Sequence, residues 1–93
     1  MGAHRKEAAM WTFKVTQKDN DEFGYPVTTS LKWDAEDTSR EKLYQRLMGH
    51  SQNNNVVHVE VFHNGKLLGI AKKEFHIWMI EGTRTTLFTF MRG

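Results

Sequence analysis

Five histidines, eleven carboxylates and three serines are the side chains of this 93-residue chain best suited to act as ligands, bases or nucleophiles. The histidines are His4, His50, His58, His63 and His76, and no HxH, HxxxH or HExxH spacing occurs among them. His58 and His63 stand five apart in VVHVEVFHNGKLLGIA, where strand alternation sends them to opposite faces, so they cannot share one metal ion. A metal site would have to be assembled across strands, for example from His58, His76 and Glu60. Single surface or turn histidines are the simpler expectation, and no metal or cofactor is expected. The acidic run Asp19-Asn20-Asp21-Glu22 has a calcium-like composition without the spaced ligands of a calcium loop, and reads as solvated.

Nucleophilic chemistry has no better support. Ser30 falls on an expected strand, Ser39 near a helix start and Ser51 in a loop, and no GxSxG elbow is present. The carboxylate pairs Asp34/Glu36 and Asp19/Asp21 lie in loops or at a helix start, without signs of the burial that would raise a carboxyl pKa. The absence of cysteine excludes disulfides, iron–sulfur clusters, thiolate zinc sites and cysteine nucleophiles. A cryptic small hydrolase or metal-dependent enzyme therefore ranks third among the function classes, and the chain reads as non-enzymatic.

The elements that would position these residues are legible as changes of hydrophobic period. Trp11, Phe13 and Val15 alternate with polar residues, as do Val27, Thr29, Leu31 and Trp33, so two strands are expected around a loop over Lys18–Tyr25. In DAEDTSREKLYQRLMGH the period lengthens. Thr38 and Glu41 suit a capping box, Leu43, Tyr44, Leu47 and Met48 form one helical stripe, and Gly49 suits a stop. Asn64-Gly65 is a strong signal for a type I′ hairpin turn. That turn places Phe62 opposite Leu67, Val61 opposite Leu68, Val59 opposite Ile70 and His58 opposite Ala71. Val57, Val59, Val61, Leu68 and Ile70 would then share the core face. A bulge or short turn at Lys72-Lys73-Glu74 is expected before FHIWMI, and TTLFTFM is read as a last strand. The expected fold is α+β: a mostly antiparallel sheet of five or six strands in the order β-β-α-β-β-β, with one packed helix. Residues 1–9 read as a flexible arm and 10–93 as one domain.

Composition narrows the partners. With 39% hydrophobic residues and three tryptophans the chain is a folding one, and no apolar run is long enough to span a bilayer. No membrane association is expected, and a cytoplasmic location is the default. Residues 39–93 carry the basic excess, and Lys72, Lys73, Arg84 and Arg92 are the candidate basic patch for nucleic-acid binding, the second function class. The first is a small binding or regulatory module acting through its sheet on a protein partner or on a second copy. Its candidate surface is Phe62, Leu67, Trp78, Phe88 and Phe90, on the side of the sheet that one short helix cannot cover. A symmetric homodimer through the edge of the C-terminal strands is the simplest form of that expectation.

Overall fold

The computed structural model describes residues 9–92. Strands β1 (Met10–Asn20), β2 (Pro26–Glu36), β3 (Asn55–His63), β4 (Lys66–Glu74) and β5 (Ile77–Ile80) form one antiparallel sheet in the order β2-β1-β3-β4-β5. Helix α1 (Arg40–Asn53) follows β2 after a 3-10 turn over Asp37–Ser39, and α2 (Leu87–Arg92) follows β5. The α+β class with an antiparallel sheet is as the sequence indicates. The strand count is five.

The path of the chain explains where the core lies. β2 and β3 flank β1, so the connection through α1 must pass over β1 on one face of the sheet. On that face β1 presents Trp11, Phe13 and Val15, joined by Trp33 of β2 and by Val59 and Val61 of β3, all buried. Leu43 and Leu47 of α1 seal it, with Tyr44 and Met48 packed alongside. Burying each such side chain contributes roughly 1.5–3 kcal/mol, which a marginal 14-residue helix needs in order to persist. Helix α2 lies on the same face. Leu87 and Met91 belong to the same core, and the Phe88 ring meets Tyr44 of α1 at 5.3 Å between centroids. Gly69 lets the Ile80 side chain approach β4, since a Cβ there would stand 3.2 Å from it, with the Phe90 ring at 3.7 Å.

Several local expectations are corrected. The first two strands run further than the alternation suggests, and only Asp21–Tyr25 turns. Its Asp21 carboxylate accepts the N–H groups of Phe23 and Tyr25. The Thr38/Glu41 capping box does not form: Ser39 occupies the cap without a side-chain bond, and Arg40 instead bonds and ion-pairs with Asp37. Gly49 does not stop α1, which continues to Asn53 with Asn54 as its extended C-cap.

In the central hairpin, Asn64 and Gly65 have φ of 51° and 81°, as a type I′ turn requires. Phe62 does face Leu67. Beyond that pair a bulge at Leu68 shifts the register, so Val61 faces Gly69, Glu60 faces Ile70 and Val59 faces Ala71. Ala71 is therefore in the core, whereas Leu68 is exposed and Ile70 lies on the far face. A second irregularity beside Gln17 does the same to Val57, leaving it exposed while Val56 packs inward.

The largest correction is TTLFTFM, in which Thr86 makes only an isolated bridge to Met79 and the chain is helical from Leu87. Thr86 accepts the N–H of Thr89 on its hydroxyl, and the Thr86 carbonyl accepts the N–H of Phe90. With that cap in place Leu87 and Met91 fall four apart on one buried stripe. Of the arm expected over residues 1–9, only Ala9 is described, and its carbonyl accepts the N–H of Asp37; the remainder lies outside the described residues.

Candidate interaction surface

With both helices on one face and the sheet ends β2 and β5 unpaired with each other, the second face is open rather than curled into a barrel. Its composition follows from register. Across β1 and β2 it presents Lys14 beside Lys32, Thr16 beside Ser30 and Thr12 beside Asp34. Across β3, β4 and β5 it presents His58, Glu60, Phe62, Leu67, Ile70, Lys72, Glu74, Met79 and Ile77. The β1–β2 half is polar, and the β4–β5 half is mainly apolar with Lys72 and Glu74 among its apolar side chains. Leu67 and Ile77 are 46% and 54% exposed, and Phe62, Ile70 and Met79 are half-buried among their neighbours. A depression of about 490 Å³ where the halves meet is lined by Thr12, Lys14, Ser30, Lys32 and Phe62.

Of the five residues expected to form the surface, Phe62 and Leu67 lie on this face. Trp78 does not: it is 2% exposed beneath α2, where its Nε1–H has no partner among the described residues. Phe88 and Phe90 are on α2, half-buried on the helix side, Phe88 between Tyr44 and the Arg92 guanidinium. The four residues of the basic patch are dispersed. Lys72 is on the open face, ion-paired with Glu81 at 3.3 Å. Lys73 follows it on the strand and projects the other way, Arg84 is in the turn after β5, and Arg92 rests on Phe88.

Sequence reasoning missed three large exposed side chains at the end of the sheet where β1 finishes and β5 begins. Phe23 and Tyr25 sit on the Asp21-braced turn, 76% and 68% exposed. Phe75, 95% exposed, is held at φ 57° in the two-residue turn joining β4 to β5. Positive φ strains a bulky side chain, so local backbone preference would select another residue there.

On the helix side, a polar chain runs Thr29–Asp19–Gln17–His50–Asn54. Gln17 is buried, its amide N–H donating to Asp19 at 2.9 Å while its carbonyl oxygen lies 2.6 Å from His50 Nε2. Thr29 donates to the same carboxylate oxygen. The Gln17 and Thr29 hydrogen bonds favour the charged form and hold the Asp19 carboxyl below its ordinary value. Asn54 donates to the His50 carbonyl, and Trp33 meets the His50 ring edge to face. Ser51 donates to the Met48 carbonyl. The arrangement satisfies the side-chain amide of buried Gln17. Among the described residues no three His, Asp or Glu side chains converge as a metal site, His58 and Glu60 with His76 included. No described helix is long and apolar enough to cross a membrane.

Compared with known proteins, the chain matches no family model, no curated protein and no solved structure.

Proposed function

We propose that the protein is a non-enzymatic binding module that engages a partner protein through the open face of its sheet. The observation that supports this reading is one-sidedness: both helices pack on one face, and no described element covers Phe62, Leu67, Ile70, Ile77 and Met79 on the other. Apolar area of this kind left in water marks a contact surface, and the polar β1–β2 half supplies hydrogen-bonding groups at its margin. The exposed Phe75 beside Ile77 extends the apolar half to the turn.

Photo-crosslinking residues placed singly at Leu67, Ile77 and, as a control on the helix side, Glu41 test it in the native host. Capture of the same protein from both sheet positions and not from position 41, lost on Phe62→Asp in a chain that still folds, is the expected result. Equal capture from all three positions removes the proposal. Binding to single-stranded nucleic acid that weakens steeply with salt and with neutralisation of Lys14 and Lys32 would replace it.

A further inference from the structure

The β2 edge carries a second, independent feature. β2 is an end strand eleven residues long, and among the described residues no strand lies beyond it. Which of its backbone groups are free follows from the ladder. Its register with β1 is uninterrupted, and beyond its two ends Asp21 N–H bonds the Tyr25 carbonyl and Asp37 N–H bonds the Ala9 carbonyl. Antiparallel pairs alternate between bonded and non-bonded. The odd residues of β2, from Val27 to Ala35, therefore turn their N–H and C=O toward β1. Thr28, Ser30, Lys32, Asp34 and Glu36 turn theirs outward, unpaired, and Pro26 marks the end of the usable edge.

Those outward positions also carry the charge. Lys32 stands directly opposite Lys14, a like-charge cross-strand pair, and neither lysine has an ion-pair partner among the described residues. Asp34 lies two residues from Lys32 on the same face, and both side chains are exposed. A lone lysine on an edge repels a second copy of itself. A lysine followed at the second position by an aspartate does the reverse, because a twofold axis through the intervening residue sets each lysine opposite the other copy's aspartate.

We propose that two copies of the chain pair antiparallel through β2, centred on Trp33. Lys32 then faces the partner's Asp34, and Ser30 faces the partner's Glu36. All four positions have outward N–H and C=O groups, so the lysine–aspartate and serine–glutamate pairs are also backbone-bonded pairs. On the helix side Leu31 and Ala35, each half-buried, meet the partner's Ala35 and Leu31. Arg46 over the Trp33 ring at 4.4 Å closes the helix-side surface above the centre. A register centred on Leu31 offers a comparable backbone ladder but faces Lys32 with the partner's Ser30. One centred on Lys32 opposes the two lysines. Charge selects between them. The paired molecule would have one continuous open face across both sheets.

Sedimentation equilibrium from micromolar to millimolar tests the proposal with the full chain. The wild type dimerises. Lys32→Asp and Asp34→Lys each weaken dimerisation by about tenfold or more, since each replaces two attractive cross-strand pairs by two repulsive ones. Mixing the two variants restores it, because in the mixed pair every position 32 again faces an opposite charge at position 34. Ser30→Pro, which removes an outward N–H without changing charge, also weakens it. A wild type that stays monomeric overturns the proposal. So does a dimer indifferent to these variants, or a mixture no stronger than its components. None of these results bears on crosslinking from Leu67 and Ile77, which reads the open face alone.

Discussion

Asp19 and Trp78 show opposite ways in which a polar atom is treated at the margin of this core. The Asp19 carboxyl is held low by hydrogen bonds from Gln17 and Thr29. A depressed folded-state pKa contributes stability above the ordinary carboxyl range, and this is lost as pH falls through the folded value. Thermal denaturation of wild type and Asp19→Asn should differ at neutral pH and converge in acid; a gap that persists or widens in acid would contradict the bonding described. Trp78 buries an indole N–H without a partner, which costs about 1–3 kcal/mol against the ring area it contributes. Trp78→Phe should therefore lower stability by less than about 1 kcal/mol, and Trp78→Ala by about 3–5 kcal/mol, in urea unfolding. A Trp78→Phe loss well above about 1 kcal/mol would mean that the N–H is satisfied.

At the level of elements, strands with strict alternation and the helical stripe of α1 were legible because one face of each meets a single core. The Asn64-Gly65 turn was legible because few residues accept positive φ at both positions. What failed did so for identifiable reasons. The bulge at Leu68 adds one residue to β4 with no composition to announce it, and so exchanged Ile70 for Ala71 in the core. TTLFTFM has strand-forming residues throughout, yet Leu87 and Met91 are four apart and Thr86 can cap, so packing against β4 and β5 overrides β propensity. The exchange also moved Phe88 and Phe90 off the surface assigned to them, while Phe62 and Leu67 stayed because their pairing precedes the bulge. Thr86→Ala should lower stability by about 1 kcal/mol and speed amide exchange over residues 89–91. Unchanged exchange there would mean that the Thr86 hydroxyl is not the cap.

For the whole molecule, the order β2-β1-β3-β4-β5 obliges α1 to cross β1, and α2 then extends the same covered face over β4 and β5. Among the described residues nothing crosses the opposite face, and connectivity rather than uniformly polar residues is the reason. Leu67→Asp should accordingly change stability by no more than about 0.5 kcal/mol, whereas Val61→Asp, a buried charge without a partner, should prevent folding. Relaxation of side-chain methyl groups by a soluble paramagnetic agent reads both faces at once. Leu67, Ile77, Ile70 and Met79 should relax strongly while Val15, Val59, Leu47 and Leu87 remain protected; protection of Leu67 and Ile77 in a monomeric sample would contradict the one-sided sheet on which the proposed binding surface rests.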